Sequence, residues 1–254
     1  MLDLGERRVL ARQVVVATGP FQLPRTPFIA DGLAADVFQM HSSEYRRPSE
    51  IPGGVVLVVG GGNTGYQIAK ELAASHHVHL AVGTRQTPLP QRLLGRDVFW
   101  WLDKLGVLEK SVDSRIGRRA RDGGRDTLIG SSPRRASRQG VQLHSRAVVA
   151  EGHTVTFQDG SAVTPSAVIW ATGYRTDHSW IHLPIFNDDG SARHHRGVTD
   201  VPGFYLLGLP WQHTRGSALL GWVEHDARFI AEQIAIYHET TETRDADSAS
   251  AERS

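Results

Sequence analysis

The stretch that most constrains the fold is VVLVVGGGNTGYQIAKELAA at residues 55–74. It opens with an unbroken run of β-branched and apolar residues, which is typical of a strand buried on both faces of a parallel sheet. The next residues match G-x-G-x-x-G at Gly60, Gly62 and Gly65, and apolar residues then recur at helical spacing. A second apolar run follows at residues 78–82. The segment therefore predicts a complete β-turn-α-β unit of an α/β fold.

The glycines of this turn suit a dinucleotide phosphate. Gly60 permits a tight turn, Gly62 lets the backbone approach a pyrophosphate, and Gly65 lets the helix pack closely on the strand. The helix N-terminus adds free N–H groups and a positive dipole, both of which attract phosphate. The predicted phosphate site is completed by the intervening loop residues Gly61, Asn63 and Thr64. The alternative is a glycine-rich strand–helix turn that binds no ligand.

The end of the second strand predicts which dinucleotide binds. Sites for NADH usually carry Asp or Glu there, which holds the ribose 2′-hydroxyl. Here the strand ends in AVGTR at residues 81–85, without a carboxylate, and Arg85 stands where a 2′-phosphate would lie. Arginine pairs with phosphate in a fork, and a carboxylate would repel it. The sequence therefore favours NADPH over NADH, and the alternative is a surface arginine beside a loop.

Two strand-like segments end in the same three residues. RQVVVATGPF at residues 12–21 contains Thr18 and Gly19, and SAVIWATGYR at residues 166–175 contains Thr172 and Gly173. Small residues at a strand end let the chain turn closely past a cofactor or cross between domains. Because both copies follow predicted hairpins and flank one dinucleotide unit, they predict two crossings between domains.

With these motifs in place, residues 8–236 resemble the flavin-containing monooxygenases and their bacterial flavoprotein relatives. A further family fingerprint, F-x-G-x-x-x-H-x-x-x-Y or W, aligns with AADVFQMHSSEY at residues 34–45. His41 and Tyr45 match it, whereas Ala35 and Val37 replace the expected Phe and Gly. The resemblance implies an α/β fold in which a Rossmann-like NADPH domain is inserted into an FAD/NAD(P)-binding domain.

The C-terminal part of the chain resembles the segment with which that family returns to its FAD domain. GFYLLGLPWQHTRGSALLGW at residues 203–222 reads as a strand that ends at Gly208, a loop, and the start of a helix. By the resemblance, the flavin-facing residues are Gln212, Arg215, Gly216 and Ser217. Core packing of the helix is the alternative that needs no flavin.

The family's own FAD-binding β-turn-α unit, which precedes the first ATG strand, has no counterpart in this sequence. The FAD domain is therefore predicted to be incomplete, with residues 1–50 as a remnant of its first part and 171–238 as its second part. Residues 51–170 form the predicted NADPH domain, and the polar residues 239–254 a disordered tail. An incomplete sheet exposes an edge. We therefore expect a partner chain or self-association through that edge.

The resemblance implies an NADPH-dependent flavoprotein monooxygenase, in which hydride passes from NADPH to FAD and a small organic substrate is then oxygenated. FAD is expected only if the missing N-terminal part is supplied, and no catalytic residue is assigned. A flavin-free NADP(H)-binding module or inactive remnant is the alternative. A relative of the pyridine-nucleotide disulfide reductases is disfavoured, because the chain has no cysteine to carry electrons.

Composition excludes several other classes of function. The net charge of +1 and the lack of aromatics among the clustered arginines at 115–138 disfavour a nucleic-acid partner. No run of residues is apolar and long enough for a membrane span. The histidines at 76, 77 and 79 lack a carboxylate or cysteine to complete a metal site. The lack of cysteine fits a cytoplasmic location.

Overall fold

The structure is a computed structural model that describes residues 1–3, 5–84, 86–122 and 127–251 of the 254-residue chain. The strands of its three larger sheets are, in chain order, β1 (Val14–Val16), β2 (Phe38–His41), β3 (Val55–Val59), β4 (His77–Ala81), β5 (Gln142–His144), β6 (Ala147–Glu151), β7 (Thr154–Phe157), β8 (Ala162–Val163), β9 (Ala167–Trp170), β10 (His194–His195), β11 (Val198–Thr199) and β12 (Phe204–Leu206).

The helices and the two-stranded ladders complete the secondary structure. The α-helices are α1 (Asn63–Leu72), α2 (Val98–Lys104), α3 (Arg115–Asp122), α4 (Pro133–Arg138) and α5 (Val223–Ala251). The 3-10 helices are Phe28–Gly32, Pro48–Glu50 and Arg215–Ala218. The short ladders pair Leu2–Asp3 with Arg8–Val9, Arg92–Leu93 with Arg96–Asp97, Pro88–Leu89 with Leu128–Ile129, and Leu23–Pro24 with Tyr174–Arg175.

The chain forms two compact units. The inner unit comprises residues 23–102 and 124–175, and the outer unit comprises residues 1–22, 103–123 and 176–254. The inner unit is thus inserted in the sequence of the outer one. This arrangement confirms the α/β class and the predicted insertion of one domain into another.

A five-stranded parallel sheet in the order β5-β4-β3-β9-β2 forms the centre of the inner unit. Alternate residues of β3 enter two different apolar clusters, because successive side chains of a strand point to opposite faces. Val56 and Val58 pack with Leu72 and other residues of α1. Leu57 packs with Phe157 of the antiparallel meander β6-β7-β8. The strand and helix predicted from residues 55–74 are both confirmed.

The outer unit contains a four-stranded sheet in the order β10-β11-β12-β1. The first ATG segment follows β1, which pairs in parallel register with β12. Among the described residues β1 pairs with no other strand, and its Val15 is 38% exposed. This is the exposed sheet edge expected from the sequence. Self-association through it stays a prediction.

The domain boundaries differ from the sequence-based ones in three segments, of which residues 171–175 are the shortest and belong to the inner unit. Residues 23–50 belong to the inner unit, because β2 hydrogen-bonds to β9 in parallel register from Phe38 with Ala167 to His41 with Trp170. Residues 103–123 belong to the outer unit, where the Val112 amide donates to the His213 carbonyl at 2.7 Å. Both pairings join residues that are about a hundred or more positions apart, so local patterns do not reveal them.

Residues 239–251 are helical where composition predicted a disordered tail over 239–254, and residues 252–254 lie outside the described residues. Helix α5 continues to Ala251. From residue 222 to residue 251 the sequence contains no glycine or proline, the two residues that most disfavour helix. The Thr240 and Thr241 hydroxyls also donate to the carbonyls four residues earlier, at 2.7 Å and 2.6 Å. No helix in the described part of the chain is long and apolar enough to cross a bilayer.

Candidate functional site

The predicted phosphate turn joins β3 to α1 with backbone contacts that only glycine allows. Gly60 has φ +140°, and a Cβ atom there would overlap the carbonyl oxygen of Ala171. A Cβ atom on Gly65 would overlap the carbonyl oxygen of Gly60. The first and third glycines of the motif are therefore required by packing between the loop, the helix and the second ATG segment.

Gly62 differs from its neighbours, because a Cβ atom there would meet no atom within 4 Å. It precedes α1, a helix of 10 residues, and no side chain caps the helix N-terminus. Gly60, Gly61 and Gly62 line a cavity of about 450 Å³. Unshielded backbone beside a helix N-terminus suits phosphate, so these residues fit the pyrophosphate of a dinucleotide.

The side chains of two residues of the predicted phosphate site, Asn63 and Thr64, do not line the cavity. The Asn63 side-chain amide donates to the Thr127 carbonyl at 3.0 Å, and its oxygen accepts from the Ile129 amide at 2.8 Å. Asn63 therefore fixes the start of α1 to the strand Leu128–Ile129, and its side chain is not offered to a ligand. Thr64 is exposed. Arg85, the predicted partner of the 2′-phosphate, lies outside the described residues, and Thr84 before it lines the cavity.

The second ATG segment forms another wall of this cavity, to which Ala171, Thr172 and Gly173 all contribute. The Thr172 hydroxyl donates to the Arg25 carbonyl, and the Gly173 carbonyl accepts from the Arg25 amide at 2.9 Å. His41, which is 5% exposed, places Nε2 3.0 Å from the same Gly173 carbonyl. The fingerprint histidine thus holds the turn at Gly173, a role that the sequence pattern did not reveal.

The first ATG segment has a similar backbone in the outer unit. Gly19 and Gly173 both have positive φ, +67° and +79°. The Gln22 amide nitrogen donates to the Thr18 hydroxyl at 2.6 Å and to the Gly19 carbonyl at 2.9 Å. Gly208 follows the adjacent strand β12 and has φ +81°. Gly19 and Gly208 therefore lie near the carboxyl ends of neighbouring parallel strands, where ligands of α/β sheets bind.

Three of the four residues predicted to face a flavin, Gln212, Gly216 and Ser217, are buried inside the outer unit, and Arg215 is half-buried. Gln212 is 3% exposed, and its side chain accepts from the Leu209 amide and donates to the Arg196 carbonyl. Ser217 is fully buried, and its hydroxyl oxygen accepts from the His213 and Thr214 amides at 3.0 Å and 2.9 Å. These side chains have their hydrogen-bonding capacity engaged within the protein.

The backbone of the same turn is also engaged. The Gly216 amide donates to the Leu108 carbonyl at 3.0 Å, and a Cβ atom on Gly216 would lie 2.7 Å from Cβ of Trp222. The Arg215 guanidinium lies 5.7 Å from the centre of the Trp211 ring. The residues of this turn therefore do not fit a flavin in this arrangement, and we derive no reaction step through FAD.

A histidine pair joins the neighbouring strands β4 and β5 of the inner sheet. Nδ1 of His79 and Nε2 of His144 are 2.8 Å apart, and the His144 ring stacks on Phe157 with centroids 4.1 Å apart. Burial lowers the pKa of His79, with smaller contributions from His144 and His77. Burial also lowers the pKa of His144, against an opposing effect of Asp159. Both imidazoles therefore favour the neutral form in the folded state.

We expect acid to destabilise the inner unit through this pair. Because both pKa values are lowered on folding, the unfolded chain binds more protons, and the free energy of unfolding falls as pH falls below about 6.5. Well above that pH both histidines are neutral in the folded and the unfolded chain, so the pair adds no pH dependence to the stability. Denaturant titrations at several pH values should show that the free energy of unfolding falls less steeply with acid in His79→Gln than in wild type. Equal losses in the two proteins would contradict this role.

Comparison with known proteins gives a consistent picture. Residues 5–93 match a family model described as pyridine nucleotide-disulphide oxidoreductase. The disulfide part of that description has no counterpart here, because the chain contains no cysteine. A flavin-containing monooxygenase from Stenotrophomonas maltophilia has a similar fold, with a TM-score of 0.66, 22% identity, and coverage of 89% of this chain and 63% of that one.

Two bacterial oxidoreductases are more similar in sequence. The uncharacterized oxidoreductase CzcO-like of Geobacillus kaustophilus is 41% identical over 89% of this chain and 65% of its own length. The uncharacterized oxidoreductase CzcO of Bacillus subtilis is 40% identical over 92% of this chain and 68% of its own length. The chain thus spans about two thirds of the length of these relatives. The chain therefore belongs to the CzcO oxidoreductase family, and its inserted parallel-sheet unit has a fold similar to that of the flavin-containing monooxygenase.

Proposed function

We propose that this chain provides the NADPH-binding part of an NADPH-dependent flavoprotein monooxygenase that oxygenates a small organic substrate. The single observation that carries the proposal is the turn at Gly60–Gly65, where uncapped helix α1, open Gly62 and the cavity of about 450 Å³ come together. In the complete enzyme the redox chemistry would be supplied by FAD, and the residues of this chain would hold NADPH.

Each part of the cavity has a distinct task in this proposal. Backbone N–H groups at the start of α1 hold the pyrophosphate, and Gly62 leaves room for it. Gly173, held by His41 and Arg25, forms the opposite wall and orients the cofactor. These residues bind and position, and none of them transfers a proton. Their contribution is the positioning that such a reaction requires of the protein.

Charge around the cavity favours NADPH over NADH. The described residues that line it include two arginines, Arg25 and Arg146, and no carboxylate. The positive charge of these arginines attracts the extra 2′-phosphate of NADPH. The described lining of the cavity offers no carboxylate of the kind that usually binds the ribose 2′-hydroxyl of NADH. Arg85 stays a predicted ligand of the same phosphate.

Isothermal titration of the purified chain with NADPH and with NADH tests this function. We expect NADPH to bind at least about tenfold more tightly, a difference of about 1.4 kcal/mol. The difference should shrink as salt is added, because exposed charge pairs are screened. Equal affinities would contradict the preference for NADPH. If neither dinucleotide binds, the proposed dinucleotide site is wrong.

A flavin-free NADP(H)-binding module is the second candidate function. It is favoured by the internal hydrogen bonds of Gln212, Gly216 and Ser217, which engage these residues with neighbouring groups of the protein. Gel filtration after incubation with FAD separates the two candidates. Flavin absorbance that elutes with the protein supports the flavoprotein, and a colourless protein that still binds NADPH supports the module.

A further inference from the structure

Two cavities of the inner unit share three lining residues, Gly83, Gln86 and Arg146. One is the cavity of about 450 Å³ that contains the glycine-rich turn. The other has a volume of about 600 Å³. A ligand whose pyrophosphate lies on the turn can therefore extend past these three residues into the second space.

The second cavity has the character of a site for a flat aromatic base. Its lining combines apolar and aromatic side chains with polar ones. The first group includes Tyr66, Val82, Leu128 and Leu143, and the second includes His144, Ser145, Gln158 and the carboxylate of Asp159. The His144 ring is held parallel to Phe157, with 15° between the ring planes. Apolar walls with a few polar groups are typical of small-molecule sites.

Arg146 is fixed at the junction of the two cavities. It follows β5, which runs in register beside β4 with His144 opposite Ala81. The Arg146 carbonyl accepts from the Gln158 amide at 2.8 Å, and Nη2 donates to the Gly83 carbonyl at 3.2 Å. A Cβ atom on Gly83 would lie only 3.2 Å from Cζ of Arg146, so the lack of a side chain at Gly83 lets the guanidinium lie against the end of β4.

The charge of Arg146 has no compensating partner in the described part of the chain, where none of the ion pairs includes it. A guanidinium carries five N–H donors, and Gly83 uses one of them. The remaining donors can form the two parallel bonds by which arginine recognises phosphate.

Gln86 supplies an independent indication of a ligand. Its side-chain oxygen is buried and has no hydrogen-bond partner among the described residues. A buried acceptor without a donor costs about 1–3 kcal/mol, so such groups are normally satisfied. A hydroxyl or amine of a bound molecule would satisfy this one.

Resting on the proposed function, we propose that Arg146 determines the preference for NADPH by binding the adenosine 2′-phosphate. Gln86 accepts a hydrogen bond from the same adenosine, and the base lies in the cavity of about 600 Å³. Arg146 lies between β5 and β6, 61 positions beyond Arg85 in the sequence, and no motif in the sequence singles it out.

The test compares two fragments that differ mainly in the phosphate on the ribose 2′-oxygen, 2′,5′-ADP and 5′-AMP, by isothermal titration of the intact chain. We expect Arg146→Gln to weaken 2′,5′-ADP about tenfold and to leave 5′-AMP unchanged. Arg146→Lys should retain part of the preference, because lysine keeps the charge but loses the fork. Arg138→Gln, on an exposed arginine of α4 outside both cavities, is the matched control.

The outcomes separate this inference from the proposed function. Unchanged binding of 2′,5′-ADP by Arg146→Gln, or an equal loss for both fragments, would overturn the role of Arg146 while the dinucleotide site stands. If wild type binds neither fragment, the proposed function itself fails. Circular dichroism of each variant shows whether it is folded, and Arg146→Lys provides the measurement if Arg146→Gln does not fold.

Discussion

Replacing Gly62 with valine is expected to weaken NADPH binding at least about 100-fold, or about 2.7 kcal/mol, without unfolding the protein. A Cβ atom at Gly62 meets nothing within 4 Å, and its φ of −81° is accessible to any residue. The fold therefore tolerates the side chain. Because Gly62 lines the cavity at the start of α1, the added isopropyl group would take the space of the pyrophosphate.

Gly53→Val is the matched control for this substitution. Gly53 is exposed, has open space around its Cβ position, and lies before β3, at the end of the strand opposite to the turn. We expect it to bind NADPH like wild type in the same titration. Retained affinity in Gly62→Val would show that the cofactor does not lie on this turn.

Replacing Trp170 with alanine is expected to lower the free energy of unfolding of the inner unit by about 3–5 kcal/mol, the range for removal of a buried aromatic side chain. Trp170 is the last residue of β9 and is 1% exposed. Its indole N–H donates to the Gln39 side-chain oxygen at 3.0 Å, which joins β9 to the neighbouring strand β2. The substitution removes both the packing and this hydrogen bond, just before the second ATG turn.

Guanidinium titration of the chain, monitored by circular dichroism, measures the effect. Trp100→Ala is the control in the same unit, because Trp100 is 37% exposed and contacts Arg96 through its ring face. We expect it to cost no more than about 1 kcal/mol, the value of an exposed cation–π contact. Similar decreases in the free energy of unfolding of the two variants would show that the burial of Trp170 does not add to stability as we expect.

Much of the inner unit could be predicted from local patterns. The run at 55–59, the glycine-rich turn and the following helix lie in one continuous segment, and the structure confirms each of them. The two ATG segments were also predicted as strand ends, and both follow strands, β1 and β9. Such features are encoded by neighbouring residues, so periodicity and glycine placement reveal them.

Features that depend on distant residues could not be predicted in this way. The compact units of the structure place residues 23–50 and 103–123 differently from the sequence-based division, because their partners lie far along the chain. Sequence alone also assigned flavin contacts to Gln212 and Ser217, whose polar groups are consumed by neighbours inside the outer unit. The tail from 239 onward appeared disordered from its polarity, although its lack of glycine and proline favours helix.

The sequence by itself determined the class of fold and the strand, glycine-rich turn and helix of residues 55–74, because these depend on residues within a few positions of one another. Only the tertiary structure decided what each residue of the site does. It separated Gly60 and Gly65, which backbone packing requires, from Gly62, which leaves open space. It also brought His41 to Gly173 and Arg146 to Gly83, since parallel strands place distant residues at one edge of the sheet.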